Sequence, residues 1–404
     1  MRVNVALALF LSFFLRFLMK RSSDGKMSIL VVRLDQTLGD SAMNSPLLRE
    51  LRVAYPDAEL SLVVHPRILE MVKFCPYIDK IYTYDWGTSL PRSLIKRHWL
   101  SLKFCHQNFR LKKIDLAIVP RFDEDHHAGF IALFSGATRR LAYTEKASAR
   151  KEVLNAGFDN FYTDILPAQG IKHEVERNLD IVRYLGFQPH EENMEFWCSK
   201  DDDAYAEKIY AEHGVDFKEI TLVGLGLSGG YSILKRWPIE YYIELADSIL
   251  KKNGKENIKF LLVGGKEDID LGLKFQEKFP SNTINMIAKT SILQMGALLK
   301  NVNYFIGNDS GAMHVAVANG VKVAGIFGSS CHHRFGAWGN KAQSISLELD
   351  CGPCKTGHVI DRCGKCIYES PRCMDDLVPN LISNKIDFGF GVNGSIQSVT
   401  PQNP

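Results

Sequence analysis

Tyr304-Phe-Ile-Gly-Asn-Asp-Ser-Gly-Ala-Met-His314, continued by Val315-Ala-Val-Ala-Asn-Gly320, is the stretch on which the fold turns. Val302 to Ile306 is a short apolar run, as a strand buried on both faces requires. Gly307 breaks it. Asn308, Asp309 and Ser310 are helix-capping residue types, and Gly311 to Ala318 is small and apolar, suited to a helix pressed on a sheet. The spacing predicts a strand, a sharp polar turn and a helix N-terminus, where free N–H groups and the dipole favour an anion. A phosphate would meet the backbone N–H groups of Ser310, Gly311 and Ala312. Asp309, being acidic, suits the cap or a sugar hydroxyl better. His314, about one turn further on, is spaced to face the same crevice. An ordinary α/β turn would read the same way, so the rest of the chain decides.

Outward from this stretch the second half repeats one grammar. Ile220 to Leu225 predicts a strand leading into Gly226-Leu-Ser-Gly-Gly-Tyr-Ser232, and Pro238 opens a helix that stops at Asn253-Gly254. Lys259 to Val263 and Ile284 to Ile287 predict strands, Ser291 to Leu299 a helix, and Lys322 to Phe327 a final strand. The first half reads alike. Strands are predicted at Ser28 to Leu34, Glu59 to His65, Ile81 to Tyr84 and Asp115 to Val119, separated by helical patterns. The first strand ends in Asp35-Gln-Thr-Leu-Gly39, and Asp40 opens a helix with Met43, Leu47, Leu51 and Val53 on its packed face. His173 to Leu185 closes this half, and Gly186-Phe-Gln-Pro-His190 is the linker candidate. The pattern is α/β: two Rossmann-like domains facing across a cleft. The divisions are 27–188 and 189–377, with 1–26 a hydrophobic leader and 378–404 a tail.

With 404 residues, 46% hydrophobic and 24% charged, the chain has room for two such domains and an ordinary core. The net charge of +3 excludes no class, but it is unevenly spread. Arg92, Lys96, Arg97, Lys103, Arg110, Lys112 and Lys113 form a run without an acidic residue, and Arg139, Arg140, Lys146, Arg150 and Lys151 form a second. Such runs are solvated helix faces, or surfaces for an anionic acceptor or a phospholipid membrane. Val3 to Met19 is nearly all apolar but short for a span of about 20 residues. Arg16 interrupts it, and no small-residue cleavage site follows. It reads as a membrane-surface helix or as a start upstream of the true one, and either way folding is expected to begin at Met27.

Four motifs in order carry a resemblance: Arg33-Leu-Asp-Gln-Thr-Leu-Gly-Asp40 with Pro46, Lys235-Arg-Trp-Pro238, Val263-Gly-Gly-Lys-Glu267, and Asp309-Ser-Gly-x-x-His314 with Ile326-Phe-Gly328. Together, over Met27 to Leu377, the chain resembles glycosyltransferase family 9, the bacterial lipopolysaccharide heptosyltransferases. The resemblance implies a GT-B fold, a metal-independent inverting transfer without cofactor, and ADP-heptose as donor. It also implies an anionic glycolipid acceptor, the lipopolysaccharide inner core, met at the cytoplasmic face of the bacterial inner membrane through peripheral contact.

Such a transfer needs a base for the acceptor hydroxyl and cations or N–H dipoles for the departing diphosphate. Asp40 matches the family's base, although helix N-cap is its structural alternative and Asp35 competes on the same turn. Lys235 matches the lysine on the nucleotide phosphates. Glu267 matches the carboxylate on the ribose, a task the spacing also allows to Asp268. Thr290 resembles a position near the base. Asp309, Ser310, Gly311 and His314 complete the donor set, with Ser310 where relatives often carry threonine. Arg92, Lys96 and Arg97 are the acceptor-side candidates. Gly229-Gly230-Tyr231 departs from the hydroxyl-bearing phosphate contacts of the family and leaves room for another nucleotide sugar and another surface glycan.

Five of the nine cysteines fall in 351–373. Their two Cys-x-x-Cys turns have zinc-ribbon spacing. The resemblance narrows the set to Cys351, Cys354, Cys366 and Cys373, either a structural metal site or reduced thiols without a catalytic role. A zinc-dependent nucleic-acid-binding protein would account for cysteines and basic runs but leaves both α/β halves unexplained, so no nucleic-acid partner is expected. A Rossmann dehydrogenase lacks its Gly-x-Gly-x-x-Gly after the first strand.

Overall fold

Burial decides the centre of each half. The apolar runs Ser28–Arg33 (β1) and Tyr304–Asn308 (β10) are buried along almost their whole length, which only a strand flanked by parallel neighbours and covered on both faces can be. In the computed structural model, which describes residues 5–12, 25–86, 94–123, 127–168, 170–227, 229–230, 232–354 and 366–385, each lies inside a parallel six-stranded sheet. The first sheet runs β3-β2-β1-β4-β5-β6, with β2 at Glu59–Val64, β3 at Lys80–Thr83, β4 at Leu116–Val119, β5 at Arg139–Tyr143 and β6 at Asp164–Leu166. The second runs β12-β11-β10-β7-β8-β9, with β7 at Thr221–Gly226, β8 at Ile258–Val263, β9 at Thr283–Asn285, β11 at Lys322–Phe327 and β12 at Ala342–Ser346. Every pairing is parallel.

Strand order reverses between β1 and β4 in the first sheet and between β7 and β10 in the second. At such a reversal the connections depart to opposite faces and leave a crevice beyond the carboxyl ends of the strands. The segments leaving β1, β7 and β10 carry Asp40, Lys235 and Asp309 to His314; the other expected site residues lie elsewhere.

The two halves meet through packed helices and buried charge. The helix Leu38–Met43 after β1 lies against the helix Gly311–Ala318 after β10. Arg334, from the helix His332–Phe335, crosses to Glu174 (Nε to Oε1 2.5 Å) and Asp123 (Nη2 to Oδ2 2.6 Å) of the first half. Arg177 lies 3.7 Å from the same Glu174 oxygen, with its guanidinium over the Phe122 ring at 3.3 Å. His173 donates through Nε2 to the Gly336 carbonyl and stacks on Trp338. The connection between halves is strapped to the helix Ser45–Ala54. Arg49 donates to the Glu191 and Asn193 carbonyls and to Glu195, and Glu50 accepts from the His190 and Glu191 N–H groups.

Several sequence expectations need correction. The single helix expected from Asp40 through Val53 is two, Leu38–Met43 and Ser45–Ala54, because Pro46 sits in the first turn of a new helix. Val53 faces solvent. Folding does not begin at Met27: in the helical residues 5–12, Val5, Ala8 and Ser12 are buried, the first two in the aromatic core of the first half. The tail expected from 378 starts instead with the helix Pro379–Lys385, whose Ile382 joins the core of the second half. The rest of that tail lies outside the described residues. The second basic run is largely absorbed: Arg140 and Lys151 are buried on backbone carbonyls, and Arg139 pairs with Asp164.

Candidate functional site

Asp40 is the third residue of its helix. Thr37 stands in the cap position and donates its hydroxyl to Asp40 Oδ2 at 2.6 Å, so the cap role considered for Asp40 does not apply. Arg121, just beyond β4, has Nη1 4.0 Å from the same oxygen. The competing carboxylate, Asp35, is buried and ion-paired to both Arg33 and Arg121. Two guanidiniums hold Asp35, whereas Asp40 is half-buried and keeps Oδ1 without a hydrogen-bond partner among the described residues. Of the two, Asp40 is the one with a lone pair to offer.

Across the cleft, Asp309 is buried and gathers three groups. Lys235 Nζ and Ser330 Oγ each lie 2.5 Å from Oδ2, and His314 Nε2 is 3.7 Å from Oδ1. Burial alone would push the Asp309 carboxyl up, but His314 and Lys235 outweigh it and hold the group well below the usual carboxylate range. Asp309 is therefore neither a helix cap nor a free sugar ligand here; it is the counter-charge that fixes Lys235. Ser310 occupies the cap position in extended conformation, yet makes no side-chain cap bond, and its Oγ is buried without a partner. The first-turn N–H groups behind it have no intrahelical acceptor. Hydroxyl, N–H groups and ammonium make one cradle for an anion.

Two glycines bring the halves into contact at this point. A Cβ on Gly39 would sit 2.6 Å from His314 Cδ2, and a Cβ on Gly311 would sit 2.7 Å from Leu38 Cβ. Each helix start presses on the other, and only glycine allows it. That is the physical content of the Gly-Asp turn and of the Asp-Ser-Gly motif.

The remaining expectations divide. Glu267 is exposed and folds over Gly265, while Asp268 is fully buried, accepts from the Gly265 N–H at 3.0 Å and lies 3.6 Å from Arg236. Asp268 serves the turn, which leaves Glu267 as the carboxylate able to meet a ligand. Thr290 is half-buried just before Ser291, which caps the helix Ile292–Leu299. Arg92 lies outside the described residues, and Lys96 and Arg97 belong to the helix Leu94–Phe109. In the departing loop, a Cβ on Gly229 would meet the Ser232 carbonyl at 2.8 Å and Lys235 backbone carbon at 2.9 Å. Glycine there lets the loop fold onto the Lys235 segment. Ser228 and Tyr231 lie outside the described residues.

Cys351, Cys354, Cys366 and Cys373 line one cavity of about 490 Å³ with His332 and His333. Burial pushes the Cys373 thiol up to about 11, and Cys354, Cys366 and Cys351 beside it add to the shift. Among the described residues no group of three or more His, Cys, Asp or Glu is placed to hold a metal ion; Cys363 is not among them. Nor is any described helix long and apolar enough to cross a membrane.

Sequence reasoning missed Arg121, Ser330, Arg334, Glu174 and His173. For Arg121 a signal existed, since it follows a fully buried strand by two residues; the others act through tertiary contacts that no local pattern encodes.

A family model described as glycosyltransferase family 9 (heptosyltransferase) matches residues 119–361. The lipopolysaccharide core heptosyltransferase OpsX of Haemophilus influenzae is 22% identical over 74% of this chain and 78% of its own. Among solved structures, a family 9 glycosyltransferase from Veillonella parvula superposes with a TM-score of 0.67 at 21% identity, covering 80% of this chain and 86% of that one. The E. coli heptosyltransferase WaaC with ADP gives 0.63 at 14% identity, over 89% and 98%. These likenesses show the fold, which is GT-B.

Proposed function

The chain belongs to glycosyltransferase family 9, and from that premise we propose that it carries a heptose from ADP-heptose to the inner core of a lipopolysaccharide with inversion, Asp40 acting as general base. The enzyme is a glycosyltransferase of the lipopolysaccharide heptosyltransferase family. The observation that carries the finer reading is the contact of the two helix starts. It sets a carboxylate with an unoccupied oxygen on one wall of the cleft and an anion cradle on the other.

In this reading the donor diphosphate lies on the start of the helix Gly311–Ala318, with Ser310 Oγ and Lys235 Nζ beside it. Glu267 takes the ribose hydroxyls. Asp40 Oδ1 accepts the proton of an acceptor hydroxyl as that oxygen attacks the anomeric carbon from the face opposite the diphosphate. The bond to the diphosphate breaks, its electron pair leaves with the nucleotide, and Lys235 and the N–H dipoles stabilise the charge that develops. Asp309 holds Lys235 in place before the donor arrives, so the lysine pays little reorganisation when charge appears. The acceptor side is drawn from the first half, where Lys103 and Arg110 are exposed on or beside the helix Leu94–Phe109.

The test is nucleotide release with product mass, using the full chain, ADP-heptose and a truncated inner-core acceptor, with Asp40→Ala beside it. A heptose-sized mass gain that the variant abolishes supports the reading. Turnover with a different nucleotide sugar while ADP-heptose stays inert would retire the heptose assignment, and an active Asp40→Ala would retire the base.

A further inference from the structure

We infer that Asp35 and Arg121 form a positioning pair for Asp40, in which Asp35 holds the Arg121 guanidinium beside the base without letting it close on it. The inference rests on Asp40 being the base. Residues 35 and 121 leave adjacent strands, β1 and β4, whose register pairs Val31 with Ile118, so the two side chains emerge side by side at the reversal of the first sheet. Asp35 is buried and takes Arg33 as well as Arg121, which fixes it from two sides. Arg121 Nη1 then stops 4.0 Å from Asp40 Oδ2, too far for a hydrogen bond. That Oδ2 already accepts from Thr37.

The alternative arrangement is chemically close at hand. A guanidinium and a carboxylate prefer a bidentate fork, which occupies both carboxylate oxygens. Without the Asp35 charge, the partly exposed Arg121 still has Asp40 within 4.0 Å, and closing on it would cover the oxygen that must take the acceptor proton. Among the described residues, Arg33, Arg121, Arg177 and Arg334 face Asp35, Asp40, Asp123 and Glu174.

The test compares Asp35→Asn, Arg121→Gln, the double variant and Asp40→Ala in the full chain, with kcat, donor KM, ADP affinity by calorimetry and melting temperature. Asp35→Asn is expected to lower kcat about tenfold or more while ADP affinity and donor KM stay within about twofold. Arg121→Gln is expected to lower kcat about three- to fivefold, and the double variant to match it, so that removing Arg121 rescues Asp35→Asn. A merely structural Asp35 would leave the double variant no better than the single one. A double variant slower than Asp35→Asn, or an Asp35→Asn within about threefold of wild type, overturns the inference. Should Asp35→Asn fail to melt cooperatively, Arg121→Gln decides, because Asp35 keeps Arg33: an unchanged kcat or a changed donor KM overturns it. A fully active Asp40→Ala would instead remove the base assignment itself.

Discussion

Replacing Gly39 by alanine tests the cleft contact through the sign of its effect. In a helix, alanine is intrinsically favoured over glycine by about 1 kcal/mol, so a free surface position would gain stability. Here the new methyl would lie 2.6 Å from His314 Cδ2 and 3.2 Å from Nε2, where carbon contacts ordinarily settle at about 3.5–4.0 Å. The ring must retreat by roughly 1 Å, but it is buried and faces Asp309. Overpacking of this kind costs about 1–3 kcal/mol, which equals or exceeds the propensity gain and leaves a net loss of about 0–2 kcal/mol. Thermal unfolding of the full chain should show a fall of about 2–4 °C per kcal/mol. Transfer rate should fall further, because the same methyl parts the base from the cradle. Gly39→Ala/His314→Ala should melt closer to His314→Ala than additivity predicts, since the ring that clashes is gone. A melting temperature that rises in Gly39→Ala would refute the reasoning.

Three other expectations are independent of that one. Glu267→Gln should raise donor KM severalfold without moving the melting temperature, whereas Asp268→Ala should cost about 1–2 kcal/mol by losing the Gly265 bond and the Arg236 pair; the reverse pattern would exchange their roles. Arg334→Ala should cost about 3–5 kcal/mol in urea titrations, because Glu174 and Asp123 lose the cation that bridges them from the other half. Burial holds the His173 imidazole down to about 4, below the ordinary 6.5, against the Gly336 carbonyl that favours its charge. Between those values the unfolded chain binds more protons than the folded one, so stability is full above ~6.5 and declines as pH falls toward 4. His173→Gln should lose less stability than wild type between about pH 7 and pH 5, and an identical loss would remove His173 as the cause.

The sequence made the long-range plan legible because buried parallel strands are written as continuous apolar runs. Lys322–Phe327 is read to the residue, and the helix expected from Ser291 to Leu299 runs Ile292–Leu299 with Ser291 as its cap. Strands β5, β6 and β12 were not read, because Arg139, Arg140, Asp164 and the polar Ala342–Ser346 lack that signature at or near a sheet edge. In the candidate site, the residues proposed from a local turn are those the fold brings to the contact of the two helix starts: Asp40 after β1, and Asp309 to His314 after β10. What was not legible is the sharing of charge. Nothing local says that Asp35 is held by Arg121 from 86 residues away while Asp40 is left with an open oxygen, or that Ser330 shares an Asp309 oxygen with Lys235. The basic runs misled for the same reason. Charge was visible, but its burial against carbonyls at Arg140 and Lys151 was not.

The strapped connection has a mechanical consequence. Residues 190 to 195 are tied to the helix Ser45–Ala54 by Arg49 and Glu50, and Tyr77 adds its hydroxyl to Glu195. Immediately afterwards Phe196 rests on Gly296 and the Cys198 thiol donates to the Leu293 carbonyl, both in the second half. Yet Trp338 of the second half donates to the Glu192 carbonyl, and Trp197, one residue past Phe196, donates to Glu195 and meets the Tyr77 ring of the first half. The connection is thus bonded to both halves along its length, so parting the halves would have to break these hydrogen bonds instead of turning about one residue.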